Sequence, residues 1–461
     1  MRKIVTLSAV AFLSTMAFAD TDIQKELDAL KKKIEMLEKQ QKSTTQTLTD
    51  VKKKTAGDNV KFGIDFRNAI DMLEYKNNDT GQTFRNGSLL SSRLYLTMAA
   101  SPMEKLTFKG KLAIYSTWGS HLYVEDAPLK DWSASSKAAD SVMRLKEGYF
   151  VYSDKIGAQP ITFSIGRRTS SMGFLESTRQ NESEEGSPLS HITNMEVNGV
   201  MTMLNFDRFV QGSYVKFVLG RAHTGEMVNV YGTNGTNGNV IPFADIDTTA
   251  EDENVDFFVM PVSLYNNGQY EVMTQWAHIF DTKGKNITTT KTAVAAGKAD
   301  LFALSARING IGDEINDFLD NTTAIASVAA TRYDAKDGYT LVGSPDGGTS
   351  NGYSFWAGVI IPDMITDAGK LGVEYNHGSK NWTPMTWAED TAIGSKIAVR
   401  GDAYEAYWNF DLFGVKYLPS QVRYTYAQHD YTPNFNCNGW TAPAKVDLTS
   451  QDLRFFVSYR Y

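Results

Sequence analysis

The chain has 461 residues, of which 42% are hydrophobic and 21% charged, with a formal net charge of -7 and one cysteine. The acidic balance argues against nucleic acid as a partner, since that calls for a basic footprint, and Cys437 has no second cysteine for a disulfide within the chain. After the first twenty residues no stretch approaches the roughly 20 consecutive apolar residues of a membrane helix, so a helical membrane protein is excluded.

The opening segment MRKIVTLSAVAFLSTMAFAD has basic Arg2 and Lys3, an apolar run from Ile4 to Leu13, and small Ala17 and Ala19 before Asp20. This pattern predicts a signal peptide over 1–19 and an exported protein. Without Arg2 and Lys3 the formal charge falls to -9. Residues 20–58 carry nine Lys against eight Asp and Glu, so about -10 rests on the remainder.

Past the predicted cleavage site, Ile23, Leu27, Leu30, Ile34 and Leu37 recur at spacings of 4, 3, 4 and 3, and the frame resumes at Leu48 and Val51. This heptad seam predicts a short periplasmic coiled-coil helix over 20–56. Glu26 and Lys33 fall at g positions opposite Lys31 and Glu38 at e positions, and the mix of Ile and Leu in the seam is compatible with a trimer. Gln41 and Thr44 interrupt the seam, so a single solvated helix stays open as the alternative. The Lys cluster ahead of Gly57 suits a helix C-terminus.

From residue 57 to 461 the period changes to 2. Val60, Phe62, Ile64 and Phe66 alternate with Lys61, Gly63, Asp65 and Arg67. Leu90, Leu94, Leu96 and Met98 oppose Arg93 and Thr97, and the pattern continues through Ile161–Ile165, Leu371–Asn376 and Tyr404–Leu412 to the closing strand. There Leu453, Phe455, Val457, Tyr459 and Tyr461 alternate with Arg454, Ser458 and Arg460.

Short turns (SPMEK, DKIGAQP, YNNGQ, DMITDAG) alternate along the chain with long polar connectors near 119–141, 168–197, 223–254, 282–298 and 379–399. Short turns at one end and long loops at the other are the habit of an outer-membrane barrel. The fold class predicted is therefore an all-β transmembrane β-barrel of about 16 antiparallel strands, with 14 and 18 open, preceded by the coiled coil. Parity requires one upward strand between Leu301–Arg307 and Phe355–Ile361, expected near Thr323–Arg332. An even count brings the last strand beside the first, which would hold a C-terminus that otherwise frays.

The segments GDNVKFGIDFR, SIGRRTSSMGFLESTRQNESEEGSPLS and LGVEYNHGSKNW resemble an uncharacterised porin-like outer-membrane family of epsilon-class proteobacteria. The resemblance implies an outer-membrane barrel with no established substrate and no catalytic residues to carry over. It also implies that the terminal aromatic strand is read by the outer-membrane assembly machinery. Gly166–Arg168 before a long loop is similar to general porins, whose third external loop folds inward.

By that count the loop 168–197 carries Glu176, Glu182, Glu184 and Glu185, while Lys109, Lys111, Arg144, Lys146 and Arg168 lie on nearby strands. Acids on a folded-in loop facing bases on a wall would set a transverse field across a constriction. The alternatives are a solvated loop tip and bases that bind lipopolysaccharide phosphates or pair with one another. Asp245, Asp247, Glu251, Asp252, Glu253 and Asp256 form an acidic patch without the Gly turn of a calcium loop. Ser350 in GTSNG lacks the strand–turn–helix setting of a nucleophile elbow, and His121, His191, His223, His278, His377 and His429 are too scattered for a metal motif. The function expected is a water-filled porin for small hydrophilic solutes or ions, without cofactor or catalysis. Its expected partners are outer-membrane lipid and lipopolysaccharide, two further copies of the chain, and peptidoglycan through the coiled coil. A plugged barrel serving as adhesin, receptor or tether is the alternative. The segment Gly310–Gly352, polar and weakly periodic, is long enough to occlude a pore.

Overall fold

The computed structural model describes residues 60–118, 142–169, 173–181, 189–223, 254–290, 292–312, 315–366, 368–386, 391–433 and 442–461, with the backbone of short bridges at 233–234 and 239–240. The predicted signal peptide, the seam residues Ile23, Leu27, Leu30, Ile34, Leu37, Leu48 and Val51, the loop acids Glu182, Glu184 and Glu185, the patch Asp245–Glu253, His121 and Cys437 lie outside the described residues.

Sixteen antiparallel strands close into one barrel. They are β1 Lys61–Asn77, β2 Thr83–Met103, β3 Leu106–Thr117, β4 Arg144–Ile156, β5 Gln159–Thr169, β6 Glu196–Asn205, β7 Tyr214–His223 and β8 Val255–Asn266. The second half comprises β9 Tyr270–Asn286, β10 Thr292–Asn309, β11 Thr323–Ala335, β12 Thr349–Pro362, β13 Lys370–Gly378, β14 Gly401–Asp411, β15 Pro419–Tyr431 and β16 Lys445–Arg460. Each strand pairs with its neighbours in sequence, and β16 returns to β1 in a register running from Asp65↔Arg460 to Asn77↔Leu448. Tyr461 is held by two backbone hydrogen bonds with Ile64, each 2.9 Å. Closure leaves no open sheet edge, which is the condition for spanning a bilayer with strands.

The strand required by parity is β11, and its neighbours β10 and β12 pair with it residue for residue. One connector differs from expectation. Residues 282–298 are not a long loop, because β9 and β10 run on through Asn286 and from Thr292, leaving a five-residue turn. The polar Thr and Lys residues there belong to the outer ends of paired strands, where a ladder extends beyond the apolar zone.

Alternation along each strand sorts side chains into two environments. Phe62, Ile64 and Phe66 on β1 and Leu453, Phe455 and Tyr459 on β16 are exposed on the outer surface. Arg67, Asp71, Asp452, Arg454 and Ser458 on the same strands are buried inside. An apolar exterior around a polar interior inverts the order of a soluble barrel and matches a lipid-facing wall. The segment 310–352 resolves into a turn with the helical stretch Asp317–Asp320, strand β11, and a loop that tucks Leu341 and Val342 into the interior at 0% exposure.

Candidate functional site

The interior divides into two arcs. On β8 to β12 the inward positions are largely apolar: Val255, Phe257 and Val259 on β8, Met273, Ala277 and Ile279 on β9, Ala299, Leu301 and Ala303 on β10, with Ile325 and Trp356 beyond. These strands carry apolar residues on both faces, so something must cover the inner one. Two external loops do.

The connector from β5 to β6 crosses the barrel and seats Phe174, Leu175, Leu189 and Ile192 in this apolar surface. Its polar atoms are matched by the wall. Leu189 N donates to Gln275 Oε1 at 2.7 Å, and His191 bridges Ser327 Oγ at 2.6 Å and Ser354 Oγ at 3.0 Å. The imidazole lies edge-on to Trp356 and Trp382, and burial pushes its pKa down to about 3, so it sits neutral.

The connector from β13 to β14 lies over the first. Met385–Thr386 pairs in parallel with Thr193–Asn194, Trp382 Nε1 donates to Ile397 O at 2.7 Å, and Tyr333 OH donates to Thr383 O at 2.7 Å. Gly352 and Gly378 make this approach available. A Cβ at Gly352 would stand 2.5 Å from Asn381 O, and one at Gly378 would stand 2.0 Å from Val399 O.

Both loops are pinned by a buried ionic network. Lys396 Nζ donates to Glu374 Oε2 at 2.5 Å and to Glu405 Oε1 at 2.6 Å. Glu405 also receives Arg179 at 3.2 Å, Arg423 at 3.7 Å and the Thr425 hydroxyl at 2.7 Å. Tyr407 OH and Trp356 Nε1 each donate to Glu374 at 2.8 Å. The Arg179 carbonyl accepts from Asn409 and Gln421. Charges this deep are tolerated only when paired and hydrogen-bonded, so Arg179 and Lys396 lock one loop each onto β13–β15.

The opposite arc, β15 and β16 continuing through β1 to β5, is ionic. Its inward positions include Arg67, Arg93, Lys109, Lys111, Arg168, Arg423 and Arg454, against Asp65, Asp71, Glu147 and Asp452. Arg93 reaches Asp65 at 3.0 Å, Arg454 reaches Asp71 at 3.3 Å and Lys111 reaches Glu147 at 2.6 Å.

The residues singled out in sequence fall as follows. Lys109 and Lys111 face inward on β3, Lys109 being exposed and Lys111 paired to Glu147. Arg144 opens β4, exposed and in register with Ala113 on the inner side. Lys146 pairs with Glu196, and Arg168 stacks 4.4 Å above the Tyr149 ring. Glu176, 1% exposed, accepts from Asn194 Nδ2 at 2.6 Å within its own loop. Leu453, Phe455, Val457, Tyr459 and Tyr461 form the outward row of β16.

Ser350 lies within β12 and donates to Val342 O at 2.9 Å. Among the described residues no group of three His, Cys, Asp or Glu could hold a metal, and Asp256 forms a two-point pair with Arg221 at 2.7 and 2.9 Å. In the sequence Glu374 and Glu405 read only as polar alternates on strands, and Arg423 carried no signal. The signal for an inner cover was the double-sided apolarity of VDFFVMPV and ADLFALSA, which demands one.

A closed 16-stranded barrel, apolar without and ionic along one inner arc, defines the class: a porin-like outer-membrane barrel. The chain belongs to the family described as a protein of unknown function (DUF3373), whose profile matches residues 83–456. Among solved structures it is similar to the anion-selective porin from Comamonas acidovorans, with a TM-score of 0.47 and 13% identity over 87% of this chain and 100% of that one. It is also similar to OprB of Pseudomonas putida, with a TM-score of 0.47 and 11% identity over 90% and 96%. The outer membrane channel DcaP of Acinetobacter baumannii gives 0.43 and 12% over 87% and 97%. No curated protein matches the sequence.

Proposed function

We propose that this protein is an outer-membrane porin through which small hydrophilic solutes or ions diffuse passively along the ionic arc of its interior. The observation that carries the reading is the division of the inner wall, in which apolar strands are covered by loops while the ionic arc keeps the character that water requires. The inward loop containing Glu176, Glu182, Glu184 and Glu185 narrows the lumen from the far side. Lys109, Lys111, Arg144, Lys146 and Arg168 form the wall across from it, so the constriction selects by size and charge. Purified protein in a planar bilayer is expected to give discrete conductance steps, grouped in threes if the barrel is trimeric. A heat-modifiable, folded protein that stays silent would end the reading.

The second reading is a plugged barrel acting as adhesin, receptor or cell-wall tether. The depth of loop packing favours it, since Leu189, Ile192, Trp382 and Ile397 are fully covered. It predicts the silent outcome.

The rest of the arrangement is part of the proposal. A signal peptide over 1–19 directs export from an epsilon-class proteobacterial cytoplasm, and the assembly machinery reads the β16 aromatic row. The helix 20–56 forms a periplasmic trimer stalk that contacts peptidoglycan, and lipopolysaccharide surrounds the outer rim. Replacing Leu30 and Ile34 with Asp is expected to dissociate the stalk and leave the barrel folded. Unchanged oligomer stability would remove the helix as the trimer contact.

A further inference from the structure

A cavity of about 340 Å³ opens on the ionic arc where β1, β2, β3 and β16 meet loop residues Thr391 and Ala392. Its lining holds three arginines, Arg67, Arg93 and Arg454, and one carboxylate, Asp71, with Ser91 and Tyr115 as hydroxyl donors. The register sharpens this imbalance. Arg67 stands directly opposite Arg93 across the β1–β2 ladder, and Arg454 stands directly opposite Arg423 across β15–β16. Like charges at directly opposed positions destabilise a sheet, and one such pair, Arg67 and Arg93, borders the cavity together with Arg454.

The nearby acids offset part of the repulsion. Asp65 serves both Arg93 and Arg460, at 3.0 and 3.2 Å, and Asp71 serves Arg454. Of the inward residues named above, seven are bases and four are acids, with Arg423 also matched by Glu405 of β14, although the chain as a whole carries -7. Local wall charge, not total charge, sets the potential a permeating ion meets.

We propose that this cavity is an oxyanion-binding station, for phosphate or carboxylate groups, and that it gives the pore an anion preference. The proposal rests on the porin reading for its transport role. The planar guanidinium fork matches phosphate and carboxylate geometry. The cavity, about 340 Å³, has room for one small oxyanion with part of its hydration shell. An anion there adds to the offset that Asp65 and Asp71 already supply to Arg93 and Arg454.

The test uses the folded full-length barrel in detergent and in bilayers. Inorganic phosphate and, separately, acetate are titrated calorimetrically into wild type, Arg67→Gln and the control Lys105→Gln. The expected result is phosphate binding that weakens about tenfold in Arg67→Gln, as for one lost charge-assisted hydrogen bond, and is unchanged in Lys105→Gln. Acetate binding in place of phosphate would assign the station to carboxylates. In a salt gradient the wild-type reversal potential should fall on the anion side and move toward zero in Arg67→Gln.

Equal phosphate and acetate binding by wild type and Arg67→Gln, or a cation-side potential in a conducting channel, overturns the proposal. A silent bilayer with Arg67-dependent binding keeps the station and ends the porin reading. If Arg67→Gln loses its heat-modifiable folded band, Arg93→Lys replaces it. Retained charge with a lost fork should then lower oxyanion affinity while leaving the sign of the reversal potential unchanged.

Discussion

The apolar arc on β8–β12 and the ionic arc on β15–β5 are made from the same alternating strands, yet they do different things with the side chains they point inward. The apolar arc ends as a protein core, with described residues of two loops buried in it. The ionic arc keeps arginine and lysine against a smaller number of carboxylates. The difference teaches that a barrel can cover one apolar arc of its interior with its own loops and keep another arc ionic. Stability should therefore reside in the first arc and ion selectivity in the second, and each can be perturbed without the other.

The largest effect is expected where the loops are locked. Glu405→Ala leaves Arg179, Lys396 and Arg423 without their shared carboxylate, which should cost about 3–5 kcal/mol. The readout is the urea midpoint of the heat-modifiable band, together with protease access to the β5–β6 loop. An unchanged midpoint would mean that the loops are held by apolar contact alone.

Next comes the outer face of the apolar arc. Val328 points outward on β11 at 55% exposure, so Val328→Lys should cost about 2–4 kcal/mol if the residue lies near the bilayer midplane. The same change at Met364, 88% exposed in the β12–β13 turn, should cost almost nothing. Equal stabilities in lipid vesicles would contradict the lipid-facing assignment.

A smaller, pH-dependent effect follows from His191. Its pKa is lowered from 6.5 to about 3 by burial, so an unfolded or released loop takes up a proton that the seated loop refuses. The stability it contributes is complete above about pH 6.5 and is lost as pH falls from there toward 3. The protection of the amides in residues 189–194, corrected for the intrinsic exchange rate at each pH, should fall between pH 7 and pH 4 in wild type and less so in His191→Gln. Equal acid sensitivity in both would assign the effect to other groups.

The smallest change in stability belongs to the ionic arc. Lys109 is exposed on the inner wall, so Lys109→Glu should leave the urea midpoint within about 0.5 kcal/mol while shifting the reversal potential toward cations. A large loss of stability without a shift in selectivity would reverse the roles of the two arcs.

The sequence by itself determined the strand alternation, the even count and the closure of β16 on β1. Each follows from a period of 2, which sends successive side chains to opposite faces and lets the apolar face be read residue by residue. Phe62, Ile64 and Phe66 against Asp65 and Arg67 already say which way β1 faces. The polar pattern at 282–298 read as a loop because strand ends beyond the lipid lose their apolar partners while keeping their ladder.

Only the tertiary structure decided where the loops go and what meets inside. Arg179 and Glu405 lie 226 positions apart in sequence, and no local pattern announces that they pair across a barrel. Arg67 and Arg93 each read as an ordinary polar alternate. Their opposition across a ladder, and the cavity they share with Arg454, exist only once the register is set. Periodicity is a property of one strand and is printed in its residues. The contents of the lumen depend on which inner faces closure brings together, and that is a property of all sixteen strands at once.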